Sequence, residues 1–287
     1  MIGKVVITAA GIGTRLLPMT KEQPKEMMPL FDRDIQNNRI CIKPLLQIVF
    51  EQLYDNNFRD FCFIIGRGKR VIEDHFTTDF DFIKQLSKKG KKDLVSLLEC
   101  FYEKLEKSLV IWINQPDPKG FGHAVLMAKP HIKDEPFLVH AGDTLITSPH
   151  KDIPLNRLLK SHEENKSDAT LIIKEIENPK QYGVANVKED CGVINVKSVI
   201  EKPSHPLTNL AIMPIYIFNK AIFEALEKTK PGLAGEIQLT DAIQHMIEAG
   251  FKVHAIKLRN DEKRLDVGNP ETYWDAAVAS YEQSYKI

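Results

Sequence analysis

A short apolar strand that leads straight into a glycine-bearing loop sets the strongest constraint on this fold. The strand contains Val5, Val6 and Ile7, a β-branched run typical of a strand buried in a parallel sheet. The letters AAGIG follow at once, and residues this small let backbone N–H groups approach an anion or a base closely. The sequence therefore predicts an α/β fold with a phosphate-handling loop after its first strand.

The rest of this loop is stiff and cationic. The fifteen residues GTRLLPMTKEQPKEM hold three cations, Arg15, Lys21 and Lys25, together with two prolines. Neither standard glycine fingerprint is met, because Leu16 stands where GxGxxG needs its third glycine and no GxxxxGK[ST] occurs. A solvated surface loop is the plain alternative, although exposed loops seldom need paired glycines and prolines together. We interpret the loop as a phosphate site of another kind.

Composition narrows the class of protein. With 287 residues, 43% hydrophobic and 27% charged, the chain is neither disordered nor fibrous and has enough length for one or two domains. Lys plus Arg and Asp plus Glu balance at 39 each, which argues against nucleic acid or an anionic membrane as the partner. The four cysteines lack metal-site or disulfide spacing. No signal peptide and no membrane-spanning run is recognised, so we expect a cytoplasmic protein.

The order of predicted elements indicates a mainly parallel sheet with a β-rich second part. Strands are predicted at FCFIIG, LVIWINQ and FLVHAGD, separated by helical patterns, which gives right-handed βαβ units. Asp143 ends the last of these strands, at the edge where open α/β sheets bind ligands. Residues 32–39 are polar and are predicted as a turn. Residues 169–218 form short β-rich runs, predicted to be a mixed or antiparallel subregion covering one end of the first half.

Motifs along nearly the whole chain resemble those of the sugar-1-phosphate nucleotidylyltransferases. They are AAGIGTRLLPMTKEQPKEMMP, QPDPKGFGHAV, FLVHAGD, QYGVANV, VIEKP, NLAIMPIYIF, GEIQLTDAI and LDVGNPETY, in the family's order. The resemblance is nearest to the bacterial-type UTP–glucose-1-phosphate uridylyltransferases. It implies a Rossmann-like mixed, mainly parallel sheet flanked by helices, with a small β-rich sugar-binding subregion. A single domain over 1–287 would comprise a nucleotide-binding part to about residue 165 and a sugar-binding part beyond it, without a left-handed β-helix tail.

The resemblance also implies which residues hold the nucleotide. They would be Ala10, Gly11, Gly13, Thr14, Gln115 and Gly120. Arg15 would join Thr14 on the β and γ phosphates, since its planar fork suits a leaving pyrophosphate, and Lys25 would hold the α-phosphate as a point charge. The Gln115 amide would read the edge of the base. A polar cap at the end of a strand is the plain alternative for that glutamine.

Two further groups of residues take roles from the same resemblance. Asp143 and Asp266 would hold Mg²⁺, the only cofactor implied, because hard carboxylate oxygens suit that ion; helix caps or turn formers are the alternative. Glu201 would accept hydrogen bonds from sugar hydroxyls, Lys202 would pair with the sugar phosphate, and the Gly183 N–H would contact another hydroxyl. Without the family match, a neighbouring Glu and Lys on a surface strand is an equally simple interpretation.

The implied activity is transfer of a uridylyl group from UTP to glucose 1-phosphate by direct displacement. Its catalytic residues would be Arg15, Lys25, Asp143, Lys202 and Asp266. Thymidylyl transfer from dTTP remains open, since uracil and thymine present the same edge to Gln115, and so does a non-catalytic nucleotide-sugar sensor. The resemblance implies only small-molecule substrates and a homo-oligomer. Structural work is predicted for His123 and for the motif GEIQLTDAI.

Overall fold

The structure is a computed structural model that describes residues 2–34 and 36–285. Its strands are β1 (Lys4–Ala9), β2 (Pro29–Asp34), β3 (Arg39–Pro44), β4 (Asp60–Gly66), β5 (Leu109–Gln115), β6 (Phe137–Ala141), β7 (Thr144–Thr147), β8 (Ala169–Glu175), β9 (Gly183–Asp190), β10 (Val193–Glu201), β11 (Leu210–Phe218), β12 (Val253–Lys257) and β13 (Lys263–Asp266). Its α-helices are α1 (Leu45–Asp55), α2 (Arg70–His75), α3 (Phe80–Lys88), α4 (Lys92–Glu106), α5 (Phe121–Met127), α6 (Lys129–Ile132), α7 (Pro154–Glu164), α8 (Ala221–Lys228), α9 (Leu239–Glu248) and α10 (Pro270–Tyr285).

One nine-stranded mixed sheet forms the body of the protein, in the order β5-β4-β1-β6-β11-β8-β12-β10-β9. The neighbours β5, β4, β1 and β6 are parallel, and β11 runs antiparallel to both β6 and β8. The predicted mixed α/β architecture is confirmed. The β-rich second part was expected to cover one end of the first half. It instead continues the same sheet, because β11 pairs directly with β6.

The first strand is buried on both faces, as its apolar run predicts. Val5 and Ile7 pack into one hydrophobic cluster and Val6 into the other, one on each side of the sheet. All three side chains are fully buried. Helices therefore cover both faces, and the loop after Ala9 opens at the carboxyl edge of the parallel strands.

The turn predicted over residues 32–39 is shorter than expected. Residues 36–38 form a turn, but β2 extends to Asp34 and β3 begins at Arg39, so the segment belongs to a hairpin. The polar side chains pair across its strands: Lys43 Nζ lies 2.7 Å from Asp32 Oδ2, and Arg39 Nε lies 3.2 Å from Asp34 Oδ2. Such pairs of opposite charge stabilise the two-stranded hairpin, although its polar composition is one that is typical of turns. The hairpin also packs on α10, where the Phe31 N–H donates to the hydroxyl oxygen of Ser280 at 3.2 Å.

Short elements between the predicted ones complete the fold. The strands β7 and β13 form a separate antiparallel pair, in which Asp266 lies opposite Thr144. Between β4 and β5, where the sequence shows helical patterns, α3 and α4 are separated at Gly90, whose φ of 69° no helix accommodates. Among the described residues, no helix combines the length and apolar character needed to cross a membrane.

Candidate active site

A cavity of about 490 Å³ lies at the carboxyl edge of the parallel strands. Its walls include eight residues to which the family resemblance gives a role in the site: Ala10, Gly11, Gly13, Thr14, Lys25, Gln115, Gly120 and Asp143. Glu26, Glu236 and Arg264 also line it and were not predicted to bind substrate. The loop, the end of β5 and the end of β6 thus meet around one space.

The loop after β1 is built from three successive 3₁₀ turns, Thr14–Leu16, Met19–Lys21 and Lys25–Met27. Gly13 has a φ of 74°, which favours glycine, and its carbonyl accepts a hydrogen bond from Thr20 Oγ1 at 2.7 Å. Pro18 and Pro24 stand immediately before the second and third turns and fix φ there. The backbone is consequently constrained along the whole cationic segment.

The third turn delivers Lys25 to Asp143. The Lys25 ammonium donates to Asp143 Oδ2, and the two side chains are only 16% and 20% exposed. Burial alone raises the pKa of Asp143, but Lys25 and then Arg264 more than offset this effect and lower the pKa of that carboxyl below its usual value. Asp143 is therefore an anion at neutral pH, paired with the cation proposed to hold the α-phosphate.

The pairing of β13 with β7 brings Asp266 beside Asp143, although 122 residues separate Asp266 from Thr144. The Thr144 hydroxyl oxygen lies 3.4 Å from Asp143 Oδ1 and 3.5 Å from Asp266 Oδ1. Arg264 Nη2 donates to Asp266 Oδ1 at 2.7 Å. Burial raises the pKa of Asp266, and the neighbouring carboxylate of Asp143 raises it further against the opposing effect of Arg264.

These two carboxylates suit a hard divalent cation. No group of three or more His, Cys, Asp or Glu side chains placed to hold a metal occurs in residues 2–34 and 36–285. The remaining ligands of such an ion would therefore come from substrate phosphates and water, which is the usual arrangement for Mg²⁺. The proximity of Asp143 to Asp266 thus fits the ion that the sequence implies.

Arg15 reaches the same cluster from the other side. A Cβ on Gly268 would lie 2.7 Å from Asp266 Oδ2 and 3.2 Å from Arg15 Nη2, so glycine leaves room there for both side chains. Arg15 is exposed, whereas Lys25 is not. The two cations therefore border the carboxylates at different depths, with Arg15 toward solvent.

The far end of the cavity is formed by Gln115, which is 3% exposed. Its Nε2 lies 3.3 Å from the Gly120 carbonyl oxygen and 2.8 Å from His123 Nδ1. Burial lowers the pKa of His123, which favours the neutral ring that accepts this hydrogen bond. No donor to Gln115 Oε1 is present among the described residues, so this oxygen is available to an N–H of a ligand. His123 therefore orients the Gln115 amide through this hydrogen bond.

The predicted sugar residues form a second cluster outside the walls of that cavity. Glu201 ends β10 opposite Gly183, the first residue of β9. Lys202 Nζ lies 3.1 Å from Glu201 Oε1, and the Lys202 N–H donates to the Tyr182 carbonyl at 3.1 Å with a φ of 40°. Arg264 links the two clusters, because its guanidinium carbon lies 5.2 Å from the centroid of the Tyr182 ring.

Several residues of this site have weak or no sequence signals. Arg264 stands two residues before Asp266 on a strand, so the alternation of side chains could have placed both on one face. Glu26 accepts two hydrogen bonds from Lys69 Nζ, at 3.0 and 2.8 Å, and both side chains are buried. Burial is the largest influence on both groups, raising the pKa of Glu26 and lowering that of Lys69. No local pattern connects these two positions.

An α/β sheet with a basic loop and two neighbouring carboxylates at its carboxyl edge is the arrangement expected of an enzyme that transfers nucleotidyl groups. The chain belongs to the Nucleotidyl transferase family, whose model matches residues 4–283. It is 34% identical over 292 residues to the UTP–glucose-1-phosphate uridylyltransferase of Pseudomonas aeruginosa, covering 100% of this chain and 98% of that protein. The enzyme of the same name from Bacillus subtilis is 36% identical over 276 residues, covering 93% of this chain and 87% of that protein.

Solved structures agree with these relatives. A crystal structure of UDP-glucose pyrophosphorylase complexed with UDP-glucose superposes on this chain with a TM-score of 0.82 and 32% sequence identity. The match covers 99% of this chain and 100% of that one. The relationship therefore extends over the entire sheet and both clusters of residues.

Proposed function

We propose that this chain transfers a uridylyl group from UTP to glucose 1-phosphate, giving UDP-glucose and pyrophosphate. The observation that carries the proposal is the cavity that has Lys25 and Asp143 in one wall and Gln115 in another. A nucleoside triphosphate needs a polar group for its base and cations for its phosphates, and this cavity offers both. The names of the relatives that span the whole chain support the choice of UTP and glucose 1-phosphate.

The proposed domain organisation is one domain with two parts. Residues up to about 165 would bind the nucleotide, and the remainder would bind the sugar and contribute the C-terminal helices. The pairing of β6 with β11 supports a single domain, since one strand from each part lies near the centre of the same sheet. A homo-oligomer is also proposed, and light scattering of the purified protein would measure its mass.

The chemistry is a direct displacement. A phosphate oxygen of glucose 1-phosphate forms a bond to the α-phosphorus of UTP, while the bond from that phosphorus to the bridging oxygen breaks and pyrophosphate leaves with the electron pair. The attacking oxygen is already anionic, so no side chain has to remove a proton. The protein must instead hold two anions together, and we assign that role to Lys25, Arg15 and Lys202.

Lys25 would follow the reacting phosphate. Its buried ammonium is paired with Asp143 here and would turn to the α-phosphate when UTP enters. Arg15, exposed beside Asp266, would clamp the β and γ phosphates through its planar fork, with Thr14 next to it. Asp143 and Asp266 would hold Mg²⁺, which when bound offsets the repulsion between the phosphates.

The base and the sugar would be recognised at opposite ends of the site. Gln115 Oε1 would accept the imide N–H of uracil, and the backbones of Ala10, Gly11 and Gly120 would hold the rest of the nucleoside. Glu201 and the Gly183 N–H would contact sugar hydroxyls, and Lys202 the sugar phosphate. Thymine presents the same imide N–H, so dTTP is the natural competitor of UTP.

A pyrophosphate-release assay over a grid of nucleoside triphosphates and sugar 1-phosphates tests the proposal. With Mg²⁺ present, UTP with glucose 1-phosphate is expected to give the highest kcat/KM. A preference for dTTP would overturn the uridylyl assignment. If no substrate pair releases pyrophosphate but UDP-glucose binds tightly in calorimetry, the result would instead support a non-catalytic sensor. A parallel series without added metal, in EDTA, measures the dependence on a divalent cation.

A further inference from the structure

Thr240 has a polar partner in the sugar cluster, although its motif GEIQLTDAI was expected to do structural work. It lies in the first turn of α9 and is 6% exposed. Its hydroxyl donates to Glu201 Oε2 at 2.7 Å. A buried hydroxyl that donates to a carboxylate makes one of the stronger hydrogen bonds available to a neutral side chain. This contact joins α9 to the end of β10.

The two oxygens of Glu201 have donors of different stiffness. Lys202 Nζ lies 3.1 Å from Oε1, but the Lys202 side chain is 43% exposed and has a flexible four-carbon stem. Thr240 is β-branched and buried, so its hydroxyl has a fixed direction. The last torsion of a glutamate is broad and has little preference of its own. Thr240 is therefore the group that sets the plane of the Glu201 carboxylate.

The same contact lies directly against the backbone of Gly183. A Cβ on Gly183 would come within 2.8 Å of Thr240 Oγ1 and 3.1 Å of Glu201 Oε2. The hydroxyl and the carboxylate thus occupy the space that a side chain at position 183 would need. The Thr240 hydroxyl and the Glu201 carboxylate therefore lie beside the backbone that is proposed to contact a second sugar hydroxyl.

Two backbone hydrogen bonds connect the base end of the site to the segment before α9. The Ile237 N–H donates to the Lys119 carbonyl at 2.8 Å, and the Gly122 N–H donates to the Ile237 carbonyl at 2.9 Å. A change in the Thr240 side chain removes neither hydrogen bond. Loss of the Thr240 hydroxyl should therefore affect the sugar and leave the nucleotide contacts intact.

We infer that Thr240 is a positioning residue for sugar recognition, because its buried hydroxyl fixes the orientation of the Glu201 carboxylate beside Gly183. The inference rests on the proposed function, since it concerns the sugar 1-phosphate of that reaction. The substrate class is a hexose 1-phosphate with hydroxyls that face a carboxylate and a backbone N–H. A carboxylate held in one plane also distinguishes sugars that differ in the direction of a hydroxyl.

The test compares Thr240→Val, which keeps the shape and removes the hydroxyl, with Thr240→Ser, which keeps the hydroxyl. In Thr240→Val the KM for glucose 1-phosphate should rise about tenfold, the effect of one hydrogen bond to a charged group. The KM for UTP and kcat should stay near the wild-type values. The preference for glucose 1-phosphate over galactose 1-phosphate should fall. Thr240→Ser should restore all of these properties, which a merely structural role would not require.

The possible failures are distinguishable. An active wild type with an unchanged KM for glucose 1-phosphate in Thr240→Val overturns the role of Thr240 alone, and so does an equal rise in the KM values of both substrates. A wild type that releases no pyrophosphate from any substrate pair overturns the proposed function and this inference with it. Thr240→Ala is measured alongside, with a thermal melt of each variant, so that a folded variant without the hydroxyl is available.

Discussion

Replacement of Lys69 by methionine should destabilise the protein through Glu26, the residue next to Lys25. Lys69 Nζ donates to both carboxylate oxygens of Glu26, at 3.0 and 2.8 Å. Glu26 is 1% exposed and Lys69 is 8% exposed. Lys69→Met keeps most of the apolar stem and removes the ammonium, which leaves a buried carboxylate without these two hydrogen bonds.

The expected loss of stability follows from the burial of Glu26 and Lys69. Removal of one member of a buried ion pair costs about 3–5 kcal/mol in the free energy of unfolding, because the remaining charge is left without compensation. The cost should also depend on pH. Burial raises the pKa of Glu26 in the folded protein and the Lys69 ammonium lowers it, so removal of Lys69 raises this pKa further and the folded variant binds a proton more readily than the folded wild type. Stability is lost as pH rises through that pKa, and the deficit of Lys69→Met should be smaller at pH 5 than at pH 8.

Urea unfolding monitored by fluorescence gives the free energies. Trp112 stacks on Phe63 with ring centroids 4.7 Å apart, and this contact reports the integrity of the first half of the sheet. Lys84→Met is the matched control. Lys84 makes a 2.9 Å ion pair with Asp81 in which the side chains are 71% and 84% exposed, so its loss should have little effect.

Equal urea midpoints for Lys69→Met and Lys84→Met would refute the stabilising role of the Lys69–Glu26 pair. An equal deficit of Lys69→Met at pH 5 and pH 8 would refute it too, since a Glu26 carboxylate that has lost Lys69 must respond to protons. A double variant, Lys69→Met with Glu26→Leu, should recover part of the lost stability because it removes the stranded charge.

Three further results are expected. Asp143→Asn should lower kcat about 100-fold or more in a variant that still folds, because it removes a carboxylate proposed to hold the metal; near-normal turnover would refute that role. Gln115→Leu should raise the KM for UTP about 10- to 100-fold in steady-state kinetics with little effect on the KM for glucose 1-phosphate, and equal effects on both would contradict base recognition. Burial lowers the pKa of His140 to about 4, so stability should decline as pH falls from about 6.5 toward 4, and His140→Leu should flatten this slope in urea titrations.

The features predictable from sequence are those that one stretch of chain determines by itself. The strand Leu109–Gln115 was predicted at its observed limits, because its apolar residues are continuous and a loop rich in proline and glycine follows. The glycine-bearing loop was recognisable for the same reason. The hairpin over residues 29–44 was missed because its stability comes from charge pairs between strands, which resemble turn composition when read along the chain.

Contacts between distant residues could not be deduced from local pattern. The strands β7 and β13 have four residues each, too few for a periodicity, and their pairing is what brings Asp266 to Asp143. Before the structure, only the family resemblance connected those two aspartates. Thr240 and Glu201 are 39 residues apart in the sequence, and nothing local marks either as the partner of the other.

The hairpin that follows the cationic loop has a consequence for the order in which the protein matures. Phe31 in β2 contacts Tyr281 near the end of α10, with ring centroids 5.0 Å apart, and its N–H bonds to Ser280. A chain leaving the ribosome exposes its first residues long before its last. The packing of β2 is thus incomplete until α10 has been made. The hairpin beside the cationic loop therefore depends for its packing on an element 249 residues further along the chain, so this part of the fold is completed late.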